Sequence, residues 1–280
     1  MIAVVVDSNS QMSPELAERL GITVVPLIVR IDGTDHVEGV DLDADAFYDF
    51  WTPDGAPVIT TSQPSPGAFL ATYEALIAEG VTEILSIHMA ASLSGTLNSA
   101  TIAARSVEVP VRLVDTSTAS FGVTCCAWAA VDAIVDGASL EDAAQVAECR
   151  AATLATAFIV GIPELIDRSG RTAGVDVGAA SAEGIPILAG VGGEFSVLTS
   201  VRSVSGAIDA MVEFALTHPP TSPDGVRVAV GTSDRSSFPV GQAITERLTD
   251  RTEVADVVQY RVGPSIGAYT GPGTAGLFVF

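Results

Sequence analysis

Glu83-Ile-Leu-Ser-Ile-His-Met-Ala-Ala-Ser-Leu-Ser-Gly-Thr96 is the stretch on which the fold reading turns. Its first six residues have the apolar, β-branched texture of a buried strand. Five of the next seven are small or hydroxyl-bearing, and the segment reads as a loop. Thr96 then opens a helix expected to run to about residue 105. Strand, short polar loop and helix in succession make up half of a βαβ unit, the building block of parallel sheets.

The same layout occurs twice more toward the N-terminus. Ile2–Asp7 is a β-branched run that ends in Asp7-Ser8-Asn9-Ser10. Ser13-Pro14 follows as a helix cap with proline in the first turn, and Gly21 stops that helix. Residues 58–62 are extended, and Ser65-Pro66 caps a helix over 67–79 that Gly80 closes. Between them, residues 22–29 read as a strand, Asp32-Gly33 as a hairpin turn, and 43–51 as a helix. Val111–Asp115 is a further strand. A long apolar helix is expected within 117–135, and another from Ser139 to about Arg150.

The texture changes near residue 154. Strands are expected over 158–162, 226–231, 253–260 and 277–280, helices over 163–168 and 205–216, and strands with turns over 181–198. Residues 218–225 read as a surface loop. The expected architecture is α/β in two domains. An N-terminal domain, residues 1–153, carries a mainly parallel sheet with flanking helices. A C-terminal α/β domain, residues 154–280, carries a mixed sheet.

Composition narrows the function classes. The chain is 48% hydrophobic and 17% charged, so it has the material for a sizeable core. Its net charge of −21 repels phosphate backbones and anionic headgroups, which argues against nucleic acid and against stable membrane association. All 13 basic residues are arginine, so no Schiff base and no P-loop lysine is available. Cys125, Cys126 and Cys149 form no C-x-x-C, and His36, His88 and His218 give no zinc spacing, so no metal site is expected. No apolar stretch has transmembrane length, and the N-terminus lacks a basic leader, so the chain reads as cytoplasmic.

The loops carry the chemistry. Asp7–Ser10, Thr60–Ser65 and Ser92–Thr96 each follow a strand and precede a helix. Ligands of open α/β sheets sit at the carboxyl ends of strands, and helix N-termini favour anions. Hydroxyls there add neutral donors, which suits a carboxylate or a phosphate. Gly271-Pro-Gly273-Thr-Ala-Gly276 matches G-x-G-x-x-G but leaves no room for a following βαβ unit, so it is no dinucleotide fingerprint. A hydrolytic pair of Ser94 with His88 is the alternative, although Leu93-Ser94-Gly95 lacks the first glycine of a nucleophile elbow.

Taken together, Asp7-Ser8-Asn9-Ser10, Thr61-Ser62-Gln63-Pro64-Ser65-Pro66-Gly67 and Ser92-Leu93-Ser94-Gly95-Thr96 resemble the DegV family of fatty-acid-binding proteins. The resemblance runs through Ser169-Gly170-Arg171 and Val201-Arg202 to Gly271-Pro272-Gly273. It implies a two-domain DegV-like fold with an apolar tunnel for one long-chain fatty acid such as palmitate. The helix near 121–135 and residues 158–165 are candidate tunnel walls.

The resemblance also implies a carboxylate held by Thr61, Ser62 and Ser94, with the Gly95 N–H. It implies no catalysis and no cofactor, and a separate fatty acid kinase that makes the acyl phosphate for phospholipid synthesis. The family's His-x-Gly-Pro-Gly is Tyr269-Thr-Gly-Pro-Gly here, so the Tyr269 hydroxyl is a further candidate hydrogen-bond donor to the carboxylate, but one that stays neutral where a histidine could carry charge. Arg202 and Arg171 are kept as candidate contacts for phosphate or kinase.

Overall fold

The computed structural model describes residues 1–52, 55–171, 175–219 and 225–280. The chain divides into two compact units. The first comprises Met1–Leu42 and Val58–Ala152, the second Asp43–Pro57 and Thr153–Phe280.

The first unit contains β1 (Ile2–Asp7), β2 (Ile22–Val25), β3 (Ile28–Ile31), β4 (Thr34–Val37), β5 (Ile59–Ser62), β6 (Glu83–His88) and β7 (Val111–Asp115). Four of them form a parallel sheet in the order β2-β1-β6-β7. Val4, Val5 and Val6 of β1 are all buried, as a strand covered on both faces requires. Val4, Val6, Leu85 and Ile87 pack against Val123, Cys126, Ala127 and Ala130 of the helix Phe121–Val135. Val5 and Ile84 pack against Phe69 and Tyr73 of the helix Pro66–Ala78, and against Ala100 and Ala103 of the helix Thr96–Ala104. The result is a helix–sheet–helix sandwich, with Val123, Cys126, Ala127 and Ala130 of Phe121–Val135 in its core.

The strand expected over 22–29 is two strands. Pro26 offers no N–H to a ladder, so β2 ends before it. β3 instead pairs antiparallel with β4 and β5 in a separate sheet. The hairpin between β3 and β4 turns at Asp32 and Gly33, with φ of 49° and 87°, the two positive φ values that a tight two-residue turn needs.

The second unit contains β8 (Ala155–Ile159), β9 (Ile185–Val191), β10 (Glu194–Val201), β11 (Val226–Thr232), β12 (Val254–Arg261) and β13 (Ala275–Val279). They form a mixed sheet in the order β10-β9-β8-β13-β11-β12, in which only β11 and β12 run parallel. Helices Val204–Thr217 and Phe238–Thr249 cover one face, burying Met211 and Ile244 against Ile187, Val228 and Leu277.

The expectation that residues 1–153 stay together leaves out Asp43–Pro57, which packs within the second unit. The Tyr48 hydroxyl donates to the Val262 carbonyl at 3.0 Å. A methyl group at Gly267 would lie 2.5 Å from the Tyr48 oxygen and 2.7 Å from the Phe47 ring, so both aromatics press onto that glycine. Helices Val177–Ser181, Phe238–Thr249 and Pro264–Thr270 were not expected from the sequence. Of the surface loop expected over 218–225, residues 220–224 lie outside the described residues. Among the described residues no helix is long and apolar enough to cross a membrane, and no group of three metal-ligating side chains occurs.

Candidate head-group site

The parallel register places Val6 opposite Ile87, so Asp7 and His88 end β1 and β6 side by side at the carboxyl edge of the sheet. Their side chains meet. His88 Nδ1 lies 2.9 Å from Asp7 Oδ2, His88 Nε2 lies 2.7 Å from Ser86 Oγ, and Ser86 Oγ lies 2.8 Å from the Tyr73 hydroxyl. With Nδ1 donating to the carboxylate, Nε2 accepts from Ser86 and Ser86 accepts from Tyr73. Asp7 also accepts the N–H groups of Asn9 (3.1 Å) and Met89 (3.3 Å). Burial pushes the Tyr73 phenol up to about 12, with the Ser86 hydrogen bond opposing the shift, so it stays a neutral donor at physiological pH.

This chain of groups has the order of a hydrolytic triad, but Asp7, Ser86, His88 and Tyr73 are each 0% exposed. It is a fastening. It ties the loop after β1, the helix Pro66–Ala78 that follows the Thr60–Ser65 loop, and the loop after β6. Both nitrogens of His88 are engaged within it, and the Ser94 hydroxyl meets Thr96 instead. The structure therefore does not bring Ser94 and His88 together as a nucleophile and its base.

It does bring together the other two loops. The Gln63 amide donates to Ser99 Oγ at 3.1 Å. Its side chain lies flat on Gly95, where a methyl group would come within 2.3 Å of Gln63 Oε1. Gly95 has φ −76°, so it is the seating of Gln63, and not backbone conformation, that uses a glycine there. Ser94 sits just ahead of the helix Thr96–Ala104. Its oxygen lies 2.9 Å from Thr96 Oγ1 and accepts the Thr96 N–H at 3.3 Å. Thr61 and Ser62 lie on β5 opposite Val29 and Ile28, Thr61 half-buried and Ser62 exposed. Thr61 and Ser62 thus precede Gln63 on one side of this contact, and Ser94 and Gly95 lie on the other, at the start of the helix Thr96–Ala104.

Gln63, Ser99, Asp7, Ser86 and Tyr73 escaped the sequence reading as partners. Gln63 stands in the middle of a motif that was quoted for its hydroxyls. The spacing of Ser86 and His88, two apart on one strand, was the available sign that they share a face.

Tyr269, Arg171 and Arg202 lie in the second unit. Tyr269 is half-buried in the last turn of the helix Pro264–Thr270, and the Arg171 guanidinium lies over its ring, 4.2 Å from the centroid. Arg202 is exposed just after β10. The Gly271-Pro-Gly273 segment is fixed from several sides. Asp234 accepts the Gly273 N–H at 2.7 Å, Thr274 Oγ1 donates toward the carbonyls of Thr270 and Gly271 and accepts the Gly161 N–H, and Ile162 N–H donates to Thr270 O at 2.9 Å. Burial raises the Asp234 carboxyl, but hydrogen bonds from Gly273, Ser236 and Ser233 outweigh it and hold the group below its ordinary value. A groove of about 540 Å³ beside Phe238, Gln259, Tyr260 and Arg261 also lies in this unit. The Arg261 guanidinium there is engaged by Asp45, the Ser233 carbonyl and the Phe238 ring.

Comparison with known proteins gives consistent matches. A family model described as "Uncharacterised protein, DegV family" matches residues 1–280. A DegV domain-containing protein of Streptomyces coelicolor is 34% identical over 281 residues, covering 99% of this chain and 98% of its own. Among solved structures, a fatty-acid-binding DegV family protein from Thermus thermophilus superposes with a TM-score of 0.87 at 28% identity, covering 100% of this chain and 99% of that one. DegV of Bacillus subtilis, described as a fatty acid binding protein, gives 0.85 at 27% identity, with the same coverages.

Proposed function

This chain belongs to the DegV family, and from that membership we propose that it binds one long-chain fatty acid and grips the carboxylate with Thr61, Ser62, Ser94 and the Gly95 N–H. The observation that carries the reading is the seating of Gln63 on Gly95 and Ser99. It joins the two hydroxyl-bearing loops at a helix N-terminus.

A buried carboxylate must be hydrogen-bonded to be tolerated, and hydroxyls with backbone N–H groups serve without a metal. The acyl chain supplies the driving force. At roughly 0.8 kcal/mol per buried CH₂, a 16-carbon tail gives a gross term of about 12 kcal/mol before immobilisation costs.

In this reading the protein is a carrier without chemistry of its own. It works in the cytoplasm without stable membrane association or nucleic acid, and it hands the acid to a fatty acid kinase that forms the acyl phosphate for phospholipid synthesis. The family resemblance adds Tyr269, Arg171 and Arg202 from the second unit as contacts for head group, phosphate or kinase. Native mass spectrometry of recombinant protein tests the core of the proposal. One fatty acid per chain is expected, and an empty protein that ignores added palmitate overturns it.

A further inference from the structure

We propose that Ser8 is a positioning residue of the head-group grip: it fixes the small sheet that carries Thr61 and Ser62 relative to the loop that carries Ser94, and so makes the site selective for a carboxylate. The inference rests on the fatty-acid reading above and deepens it by naming what sets the spacing of the gripping hydroxyls.

The need for such a residue arises at Pro26. There the chain leaves β2 in the parallel sheet and enters β3 in the antiparallel one. Leu27 is 4% exposed and its N–H falls between the two ladders, where a buried donor must find a partner. Ser8 Oγ accepts that N–H at 2.9 Å and donates to Glu38 Oε2 at 2.5 Å. The Glu38 N–H in turn donates to the Leu27 carbonyl at 3.0 Å, which extends the pairing of β3 with β4 by one position. One hydroxyl thereby holds both strands at the end of the small sheet where β5 finishes, with Ile28 opposite Ser62 and Val29 opposite Thr61.

The turn that carries Ser8 is itself anchored. The Gln11 N–H closes it by donating to the Ser8 carbonyl at 3.1 Å. Asn9 Oδ1 accepts the Ser120 N–H at 2.9 Å, and the Ser10 carbonyl accepts the Thr124 hydroxyl at 2.8 Å, so the turn is bracketed to the helix Phe121–Val135 and its leading residue. Asp7, the preceding residue, holds His88 and the Met89 N–H at the start of the loop that leads to Ser94. Two adjacent residues therefore fasten the two halves of the grip, Asp7 the Ser94 loop and Ser8 the Thr61 sheet. Ser8 acts through Thr61 and Ser62, since its own hydroxyl is engaged by Leu27 and Glu38. A carboxylate needs donors at hydrogen-bond distance from both halves at once, and an apolar tail does not.

Delipidated full-length protein titrated with palmitate and with hexadecanol, the same tail on a neutral head, tests the assignment. Ser8→Ala should weaken palmitate about tenfold and hexadecanol less than about twofold, because only the carboxylate reads the spacing of the hydroxyls. Ser8→Thr, which keeps a hydroxyl on the same carbon, should return palmitate to within about threefold of wild type. In a Thr61→Val background Ser8→Ala should cost no more than about twofold, because the group it acts through is already gone.

Equal losses for the two ligands, a tenfold loss that persists without the Thr61 hydroxyl, or unchanged palmitate affinity each overturn the inference and leave the carrier function intact. A wild type that binds hexadecanol as tightly as palmitate overturns the carboxylate grip itself. If Ser8→Ala does not fold, amide exchange of Leu27 in wild type decides. Coupling between sites is reciprocal, so at equal saturation palmitate should slow that exchange more than hexadecanol does. Equal slowing overturns the positioning role.

Discussion

Gly95 shows how a single residue's size is set by its neighbour. A methyl group added there meets the far end of the exposed Gln63 side chain, which can swing away. Gly95→Ala should therefore cost under about 1 kcal/mol of stability, while freeing Gln63 from Ser99 and loosening the junction. Denaturant melts beside palmitate titration should show affinity falling further than stability. His88 is the opposite case. Removing it leaves the buried Asp7 carboxylate short of a donor, so His88→Phe should destabilise by about 3 kcal/mol, read from the shift in denaturation midpoint. A loss below 0.5 kcal/mol, on the scale of an ordinary surface change, would show that the fastening carries little. Cysteine chemistry is equally local. Burial pushes the Cys126 thiol up to about 12 and Cys125 well above its ordinary value, whereas Cys149 is exposed. Under native conditions an alkylating reagent should modify Cys149 alone, as counted by intact mass.

At the scale of elements, the loop that ends in Gly271-Pro-Gly273 depends on contacts that cannot yield. A methyl group at Gly161 would lie 1.7 Å from the Pro272 carbonyl oxygen, which is backbone. Gly161→Ala should cost about 3 kcal/mol or prevent folding, measurable by thermal melting. Asp234 holds the same loop by charge. Its folded-state pKa is depressed, so its contribution is present above the unfolded value near 3.8 and is lost as pH falls through the folded value. The stability advantage of wild type over Asp234→Asn should hold at pH 6 and shrink below about pH 4, and an advantage that grows on acidification would refute it. Elements with strong punctuation were legible in the sequence. Ser13 and Ser65 cap helices as their sequence context indicated, and Gly21 closes the first of these in the left-handed conformation. The break at Pro26 was present in the sequence but was overridden by the apolar run around it. The helix Pro264–Thr270 was missed because Gly263, Gly267 and Gly271 carry poor helix propensity, and only the aromatics pressed onto Gly267 explain a glycine inside a helix. The head-group loops were legible as motifs, whereas the links between them through Gln63, Ser99 and His88 were not. Those links join residues 36 and 81 positions apart, beyond the reach of any local pattern.

On the scale of the whole molecule, the chain passes from the first unit to the second, back, and across again. The expectation of a single crossing near 153 came from a change of texture, and texture reports composition and not partnership. The helix Ala44–Tyr48 reads as part of the first half because its neighbours in sequence are there. Its partners, Val262 and Gly267, come from the last twenty residues or so of the chain. That separation has a consequence for biosynthesis. Tyr48 leaves the ribosome 214 residues before Val262, so while translation proceeds its apolar side chain has no native surface to cover it. The second unit cannot close until residues 262–267 have emerged, however early the first has folded. Truncation from the C-terminal end should accordingly release the segment 43–57 to proteolysis, while the parallel sheet of the nascent chain remains intact.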